Sequence, residues 1–417
     1  MSAKVNFLAI SFAIVLLPWL IWRIGPVRRV APLAVVQILV GVMLGPSFLG
    51  RFAPVLHAAL FTPPVLAALD GVASLAVLLY VFVTGLHLDV ALLRQDGRRL
   101  GTIAFGSVAV PLLFGLGLGG WILHAVPGAV GPAGDGAGFV VSVAICIAVT
   151  ALPVLAAVLR EMGLLQARIG QMALAIAALN DAALWIMLAV LLAFAGSQGS
   201  TGMLGLGLAA LFFGFLIVAV RPLLARLAGA GDRALLVGGV ALAILAAGLS
   251  QALGTGYLIG AFVAGAIMPA SARPVLLDRL ELLTATVLLP FFFMSTGLQA
   301  LIEPGSASFL GLLAAAVAAT VAGKVVGTAL PARRLGFSWA DSLSLGAMMQ
   351  TKGLMEVVVL AVLHDAGLIG GQIFSVMVAM ALVCTVITAP LVRWIAASEA
   401  RARPRTRQGR GPGPASG

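Results

Sequence analysis

Asp181 and its neighbour Asn180 lie in QMALAIAALNDAALWIMLAVLLAFAG, residues 171–196, a stretch otherwise apolar and long enough to cross a bilayer. A carboxylate at the middle of a membrane helix costs roughly 2.5 kcal/mol or more, so it persists where it is paired, hydrated or used. Two further stretches interrupt the apolar pattern. In SVAICIAVTALPVLAAVLRE, residues 142–161, Thr150 and Pro153 stand mid-span, and a proline removes a backbone donor and disfavours helix at the residue before it. In SLGAMMQTKGLMEVVVL, residues 344–360, the run Gln350, Thr351, Lys352 and Gly353 breaks the span, with Glu356 one turn beyond Lys352. A hard monovalent cation takes oxygen ligands, and the Asp181 carboxylate, the Asn180 amide, the Thr150 hydroxyl and carbonyls freed at helix breaks are of that type. Burial favours the protonated form of a carboxyl group and an adjacent cation favours the ionised form, so proton and cation compete for such a site.

The elements that position these residues follow from composition. Hydrophobic residues are 62% and charged residues 9% of the 417, against roughly 45–50% and about 25% in soluble domains. The chain reads as an all-α polytopic membrane protein. Apolar runs of about 20 residues recur along it, with spans expected near 5–23, 31–48, 66–87, 100–125, 138–159, 171–196, 202–220, 234–251, 254–270, 282–300, 307–330, 341–363 and 370–396. That makes about 13 transmembrane helices. With 50 glycines and 21 prolines, some of them are expected to be broken. The first span ends at Arg23 with no small-residue cleavage site and is read as a span rather than a signal peptide. Cys146 and Cys384 lie in separate apolar segments and are read as free buried thiols.

Arginines set the orientation. Arg23, Arg28 and Arg29 follow the first span, Arg94, Arg98 and Arg99 the third, Arg160 and Arg168 the fifth, and Arg221, Arg226 and Arg233 the seventh. Arg273 and Arg279 follow the ninth, Arg333 and Arg334 the eleventh, and further arginines from Arg393 to Arg410 close the chain. The intervening loops are nearly free of Lys and Arg, which places the N-terminus outside and the C-terminus in the cytoplasm. Much of the net charge of +11 is therefore topological and calls for no nucleic-acid partner. Residues 1–396 read as the membrane domain, and 397–417 as a short, basic, disordered cytoplasmic tail. The two interrupted spans stand seven apart, and an odd offset reverses orientation, so spans two to six pair with nine to thirteen as an inverted repeat.

Enzyme chemistry finds no support. HExxH, GxSxG, Walker A and clustered Cys/His patterns are absent, and no cofactor is expected. Gly229, Ala230, Gly231 and Asp232 spell GxGD, a pattern of intramembrane aspartyl proteases, but sit beside Arg233 in a basic loop. The Tyr-Asp partner is missing: Tyr80 and Tyr257, the only tyrosines, precede Val and Leu. The four residues read as a turn.

The motifs QILVGVMLGPSFLG (37–50), FVTGLHLDVALLR (82–94), VTALPVLAAVLREMGLL (149–165), ALNDAALW (178–185), GYLIGAFVAGAIMP (256–269) and GKVVGTALPARRLGFSWADSLSLGAMMQTKGLMEVVVL (323–360) together resemble the monovalent cation:proton antiporter-2 family over nearly the whole chain. The resemblance implies a dimerisation domain and a six-helix core whose two broken helices cross near the bilayer centre. It also implies exchange of Na⁺ or K⁺ for H⁺ by an elevator-like movement, a homodimer, and a place in the bacterial inner (plasma) membrane. On it, Asp181 matches the ion-binding aspartate, Asn180 the position before it, Thr150 the polar residue of the first break, Lys324 the basic residue of the span before the second broken helix, and Lys352 with Glu356 the charged pair of that second broken helix. Two departures stand out: Asn180 where electrogenic relatives often have a second Asp, and Gln37 where many members carry Glu. Lys324 leaves the stoichiometry open between electroneutral and electrogenic exchange, with Asn180 favouring the former. The alternatives are a channel-like potassium efflux protein, an organic-anion symporter on a related fold, and a non-transporting sensor.

Overall fold

Long runs of Leu, Ala, Val and Gly offer the backbone no partner but itself, and in an apolar setting that means helix. A computed structural model of the protein describes residues 3–25, 33–87, 92–165, 167–195, 200–227, 231–300 and 307–402. Helices dominate it, and among the described residues the β structure is an isolated bridge between Val130 and Ile369. Among the described residues eight helices are long and apolar enough to cross a membrane by length and composition. Shorter or interrupted helices fill the other expected spans.

In chain order these are α1 (Ala3–Arg23), α2 (Leu33–Leu44), α3 (Pro63–Leu86) and α4 (Leu92–Ala125). The first broken helix is α5 (Gly136–Ala148) with α6 (Leu152–Glu161), followed by α7 (Arg168–Ala195) and α8 (Ser200–Phe215). Next come α9 (Asp232–Ala252), α10 (Tyr257–Ala266), α11 (Arg273–Leu283) and α12 (Leu289–Gln299). A wide π turn, Thr284–Leu288, joins α11 to α12 just ahead of Pro290, which has no N–H for the ladder. Last are α13 (Ala307–Arg334), the second broken helix α14 (Trp339–Met349) with α15 (Leu354–Asp365), and α16 (Gly371–Ala402).

The repeat is visible in the packing. In the first bundle α3 crosses α10 and α12 crosses α2, and each crossing brings two backbones together at paired glycines, Gly85 with Gly265 and Gly297 with Gly41. A β-carbon at any of the four would overlap the partner's backbone. Both Gly85 and Gly297 sit in Thr-Gly-Leu triplets, residues 84–86 and 296–298, whose threonines donate back to the carbonyls of Tyr80 and Phe292 at 3.0 Å each. In the second bundle α4 packs on α13, α4 carries α5, and α13 carries α14. Both leading half-helices are capped alike: Asp135 accepts from the Gly138 N–H at 2.7 Å, and Ser338 from the Asp341 N–H at 3.0 Å.

Cys146 and Cys384 are free and buried. Helix α16 runs past the expected end at 396 to Ala402, because Ala, Glu and Arg sustain a helix there; residues 403–417 of the expected tail lie outside the described residues. So do Gly229 and Ala230 of the GxGD pattern, while Gly231 takes a φ of 93° and Asp232 opens α9, as a turn requires.

Candidate ion-binding site

The two broken helices meet at their breaks. The Ala151 N–H donates to the Thr351 carbonyl at 2.9 Å, and the Thr150 hydroxyl donates to the Met349 carbonyl at 2.8 Å. Pro153 is the second residue of α6, in the first turn where no intrahelical donor is needed, so the first break falls at 149–151, just before it. The second takes Gln350, Thr351, Lys352 and Gly353, the last at φ 136°, a conformation that glycine adopts without steric cost.

A helix that ends inside the protein leaves its last carbonyls without partners and the negative end of its dipole exposed. At the end of α5 two lysines meet that need. Lys352 Nζ donates to the carbonyls of Cys146 at 2.5 Å and Ile147 at 3.1 Å. Lys324 Nζ, from α13, donates to the Ala148 carbonyl, to the Ser107 carbonyl at 3.0 Å and to Thr150 Oγ1 at 2.7 Å. Glu356, in the first turn of α15, sits at the positive end of that half-helix and pairs with Lys352 at 3.0 Å. Lys352 thus bonds the end of α5 while pairing with the first turn of α15, which ties the two broken helices together.

Asn180 and Asp181 come from α7. The Asn180 amide donates to Ser107 Oγ at 2.9 Å and makes a long contact with Thr150 Oγ1 at 3.5 Å, which joins α7, α4 and the first break. Asp181 is 2% exposed, and neither carboxylate oxygen accepts a hydrogen bond from a described residue. Among the described residues Lys324 makes no ion pair with it, and the buried ion pair is Lys352–Glu356 alone. Asp181, Lys324, Lys352 and Glu356 are the buried charged side chains among the described residues. The structure thus gathers Thr150, Asn180, Lys324, Lys352 and Glu356 into one bonded network, with Asp181 adjoining it through Asn180. Gln350 is buried at the second break with both amide atoms unpartnered among the described residues. Gln37 is buried in α2 of the first bundle. Sequence reasoning passed over Ser107, a lone hydroxyl one turn before Pro111, because a serine in a membrane span carries little cost.

A cavity of about 440 Å³ opens between the two bundles. Its rim carries the exposed side chains of Asp70, Gln251, Gln299 and Asp365, and its floor the buried Val77, Leu188, Val358 and Phe292. The floor residues lie on α3, α7, α15 and α12, and Leu188 is two turns along α7 from Asp181.

Inverted repeats that each contribute a broken helix, with buried charge where the breaks touch, define the architecture of a secondary transporter. A buried carboxylate with no hydrogen-bond partner among the described residues has the chemistry that takes up a proton or a hard monovalent cation. The chain belongs to the transmembrane sodium/hydrogen exchanger family, which it matches over residues 10–396. It is 33% identical over 397 residues to Cation/H(+) antiporter 17 of Arabidopsis thaliana, covering 92% of this chain and 47% of that one. It is 29% identical over 380 residues to the Na(+)/H(+) antiporter NhaS4 of Synechocystis, covering 87% and 90%, and 30% identical to K(+)/H(+) antiporter 1 of Saccharomyces cerevisiae, covering 87% and 43%. The chain spans about half the length of the plant relatives it matches. Its fold is that of the sodium proton antiporter MjNhaP1 from Methanocaldococcus jannaschii, with a TM-score of 0.61 at 14% identity over 96% of this chain and 99% of the other.

Proposed function

We propose that the protein is a secondary active antiporter that exchanges Na⁺ or K⁺ for H⁺, with Asp181 binding the cation and the proton in turn. The observation that carries this reading is the Asp181 carboxylate, 2% exposed and free of hydrogen bonds from described residues, where only a proton, a cation or water can satisfy it. Relatives named for Na⁺ and for K⁺ exchange support both ions as cargo. Alternating access follows if the second bundle slides against the first, the elevator-type movement, and the cavity between the bundles is the outer access route. On the arginine pattern its rim faces outside, with the N-terminus outside and the C-terminus in the cytoplasm. The homodimer and the inner-membrane location belong to the same proposal.

The test is cation-induced dissipation of a pH gradient in proteoliposomes. Wild-type protein is expected to respond to Na⁺ or K⁺, and Asp181→Asn and Asp181→Ala to fold and stay silent; unchanged exchange in Asp181→Asn would sink the proposal. Conductance far above an exchanger's turnover would instead mark a channel. We further propose one proton per cation, because Lys324 is spent on three oxygens rather than on Asp181. With compensating leaks excluded, an imposed membrane potential is then expected neither to drive nor to alter exchange.

A further inference from the structure

Between the cavity floor and Asp181 the fold keeps two more polar groups buried. On α3, Tyr80 lies one turn beyond the floor residue Val77; on α7, Trp185 lies between Asp181 and the floor residue Leu188. Tyr80 is 5% exposed and Trp185 2%. Neither the Tyr80 hydroxyl nor the Trp185 Nε1 makes a hydrogen bond of ordinary length to a described residue. Thr84, one turn along α3, comes within weak reach of the phenol but donates its own proton to the Tyr80 carbonyl. Trp185 is held in place by stacking on Phe262 of α10, with ring centroids 5.6 Å apart. Tyr80 and Asp181 thus lie on two helices that line the cavity from either bundle, each set beyond the floor residue of its own helix, and each ends in oxygen without a hydrogen-bond partner among the described residues.

A buried hydroxyl without a partner destabilises a fold, and phenylalanine would fill nearly the same volume without that cost. An ion passing the apolar floor loses water and needs replacement oxygens before it reaches Asp181. The indole N–H is a donor only and cannot ligate a cation, whereas the phenol oxygen can. We propose that Tyr80 is a cation ligand supplied by the first bundle, its hydroxyl oxygen holding the partly dehydrated ion between the cavity and Asp181. The proposal rests on Asp181 being the cation and proton site.

Wild type, Tyr80→Phe and Asp181→Asn are reconstituted in proteoliposomes and titrated with Na⁺ and with K⁺. In parallel, ion-induced thermal stabilisation in detergent reports binding independently of turnover. Tyr80→Phe is expected to raise the half-saturating concentration of the transported ion about tenfold. Thermal stabilisation moves to correspondingly higher ion concentration, and the ion-free melting temperature is equal or higher. If half-saturation and thermal stabilisation in Tyr80→Phe match wild type while Asp181→Asn is inactive, the ligand role of Tyr80 is overturned and the reading of Asp181 stands. Exchange and ion stabilisation that persist in Asp181→Asn overturn both.

Discussion

Replacing Lys352 with methionine is the sharpest test of what holds the two breaks together. Lys352 and Glu356 are fully buried and 3.0 Å apart, and removing one member of such a pair costs about 3–5 kcal/mol because the other is left uncompensated. Lys352→Met also takes the donor from the Cys146 and Ile147 carbonyls, at about 1–3 kcal/mol for each buried acceptor left unpaired. The loss is therefore roughly 5 kcal/mol or more, comparable with the whole stability of a marginal fold. Glu356→Gln is milder, at about 3 kcal/mol, because Lys352 keeps both carbonyls and the end of α5. The double variant Lys352→Met with Glu356→Leu removes both charges and is expected to recover part of the Lys352→Met loss, leaving mainly the unpaired carbonyls. Graded SDS unfolding of purified protein, with size-exclusion profiles, ranks the three. A double variant as damaged as Lys352→Met, or Glu356→Gln worse than Lys352→Met, refutes the energetic argument. A double variant that folds but no longer exchanges ions refutes the structural assignment of the pair.

Three further outcomes follow from the same geometry. Gly297→Val drives a side chain into the backbone of α2 at Ile38 and is expected to abolish monodisperse protein, whereas Gly71→Ala, with nothing within 4 Å of its β-carbon, behaves as wild type in the same size-exclusion assay. Because proton and cation compete for one carboxylate, acidification raises the half-saturating cation concentration by up to about tenfold per pH unit at a constant maximal rate; a maximal rate that falls while half-saturation stays fixed contradicts competition. Asn180→Asp places a second carboxylate beside Asp181, so exchange becomes sensitive to membrane potential in potassium–valinomycin-clamped vesicles.

The helices and the carboxylate at the site's edge were legible in the sequence for one reason: a polar residue in an apolar run is conspicuous. Asp181, the 350–353 break and the seven-span offset all declare themselves that way. Partners across the site were not legible, because they lie far apart in the chain and many are backbone. Thr150 donates to a carbonyl 199 residues away, and Lys352 to one 206 away, and no side-chain pattern announces a carbonyl. Pro153 marked the first break, but as a residue that tolerates the first turn of α6 rather than as the break itself. Ser107, Tyr80 and Trp185 are residue types common in membrane helices, and their interest lies only in what surrounds them.

The placement of Lys324 also bears on why the proposed exchange would be coupled at all. Among the described residues two lysines and two carboxylates are buried, so their formal charges cancel while Asp181 is ionised. On the proposed exchange, a proton or a monovalent cation at Asp181 each adds one unit, so the second bundle would carry the same charge in either loaded state. Overall neutrality does not make the unloaded state easy to move, because neutrality at a distance leaves the Asp181 oxygens without a local partner, and an unpartnered carboxylate drawn through the apolar surface of the first bundle is costly. Were Lys324 free to swing onto Asp181, that cost would vanish and the empty carrier would leak. Held on Thr150, Ser107 and the end of α5, it cannot do so without stripping the α5 dipole of a compensating charge, so on the proposed mechanism a bound proton or cation is what readies the site to cross.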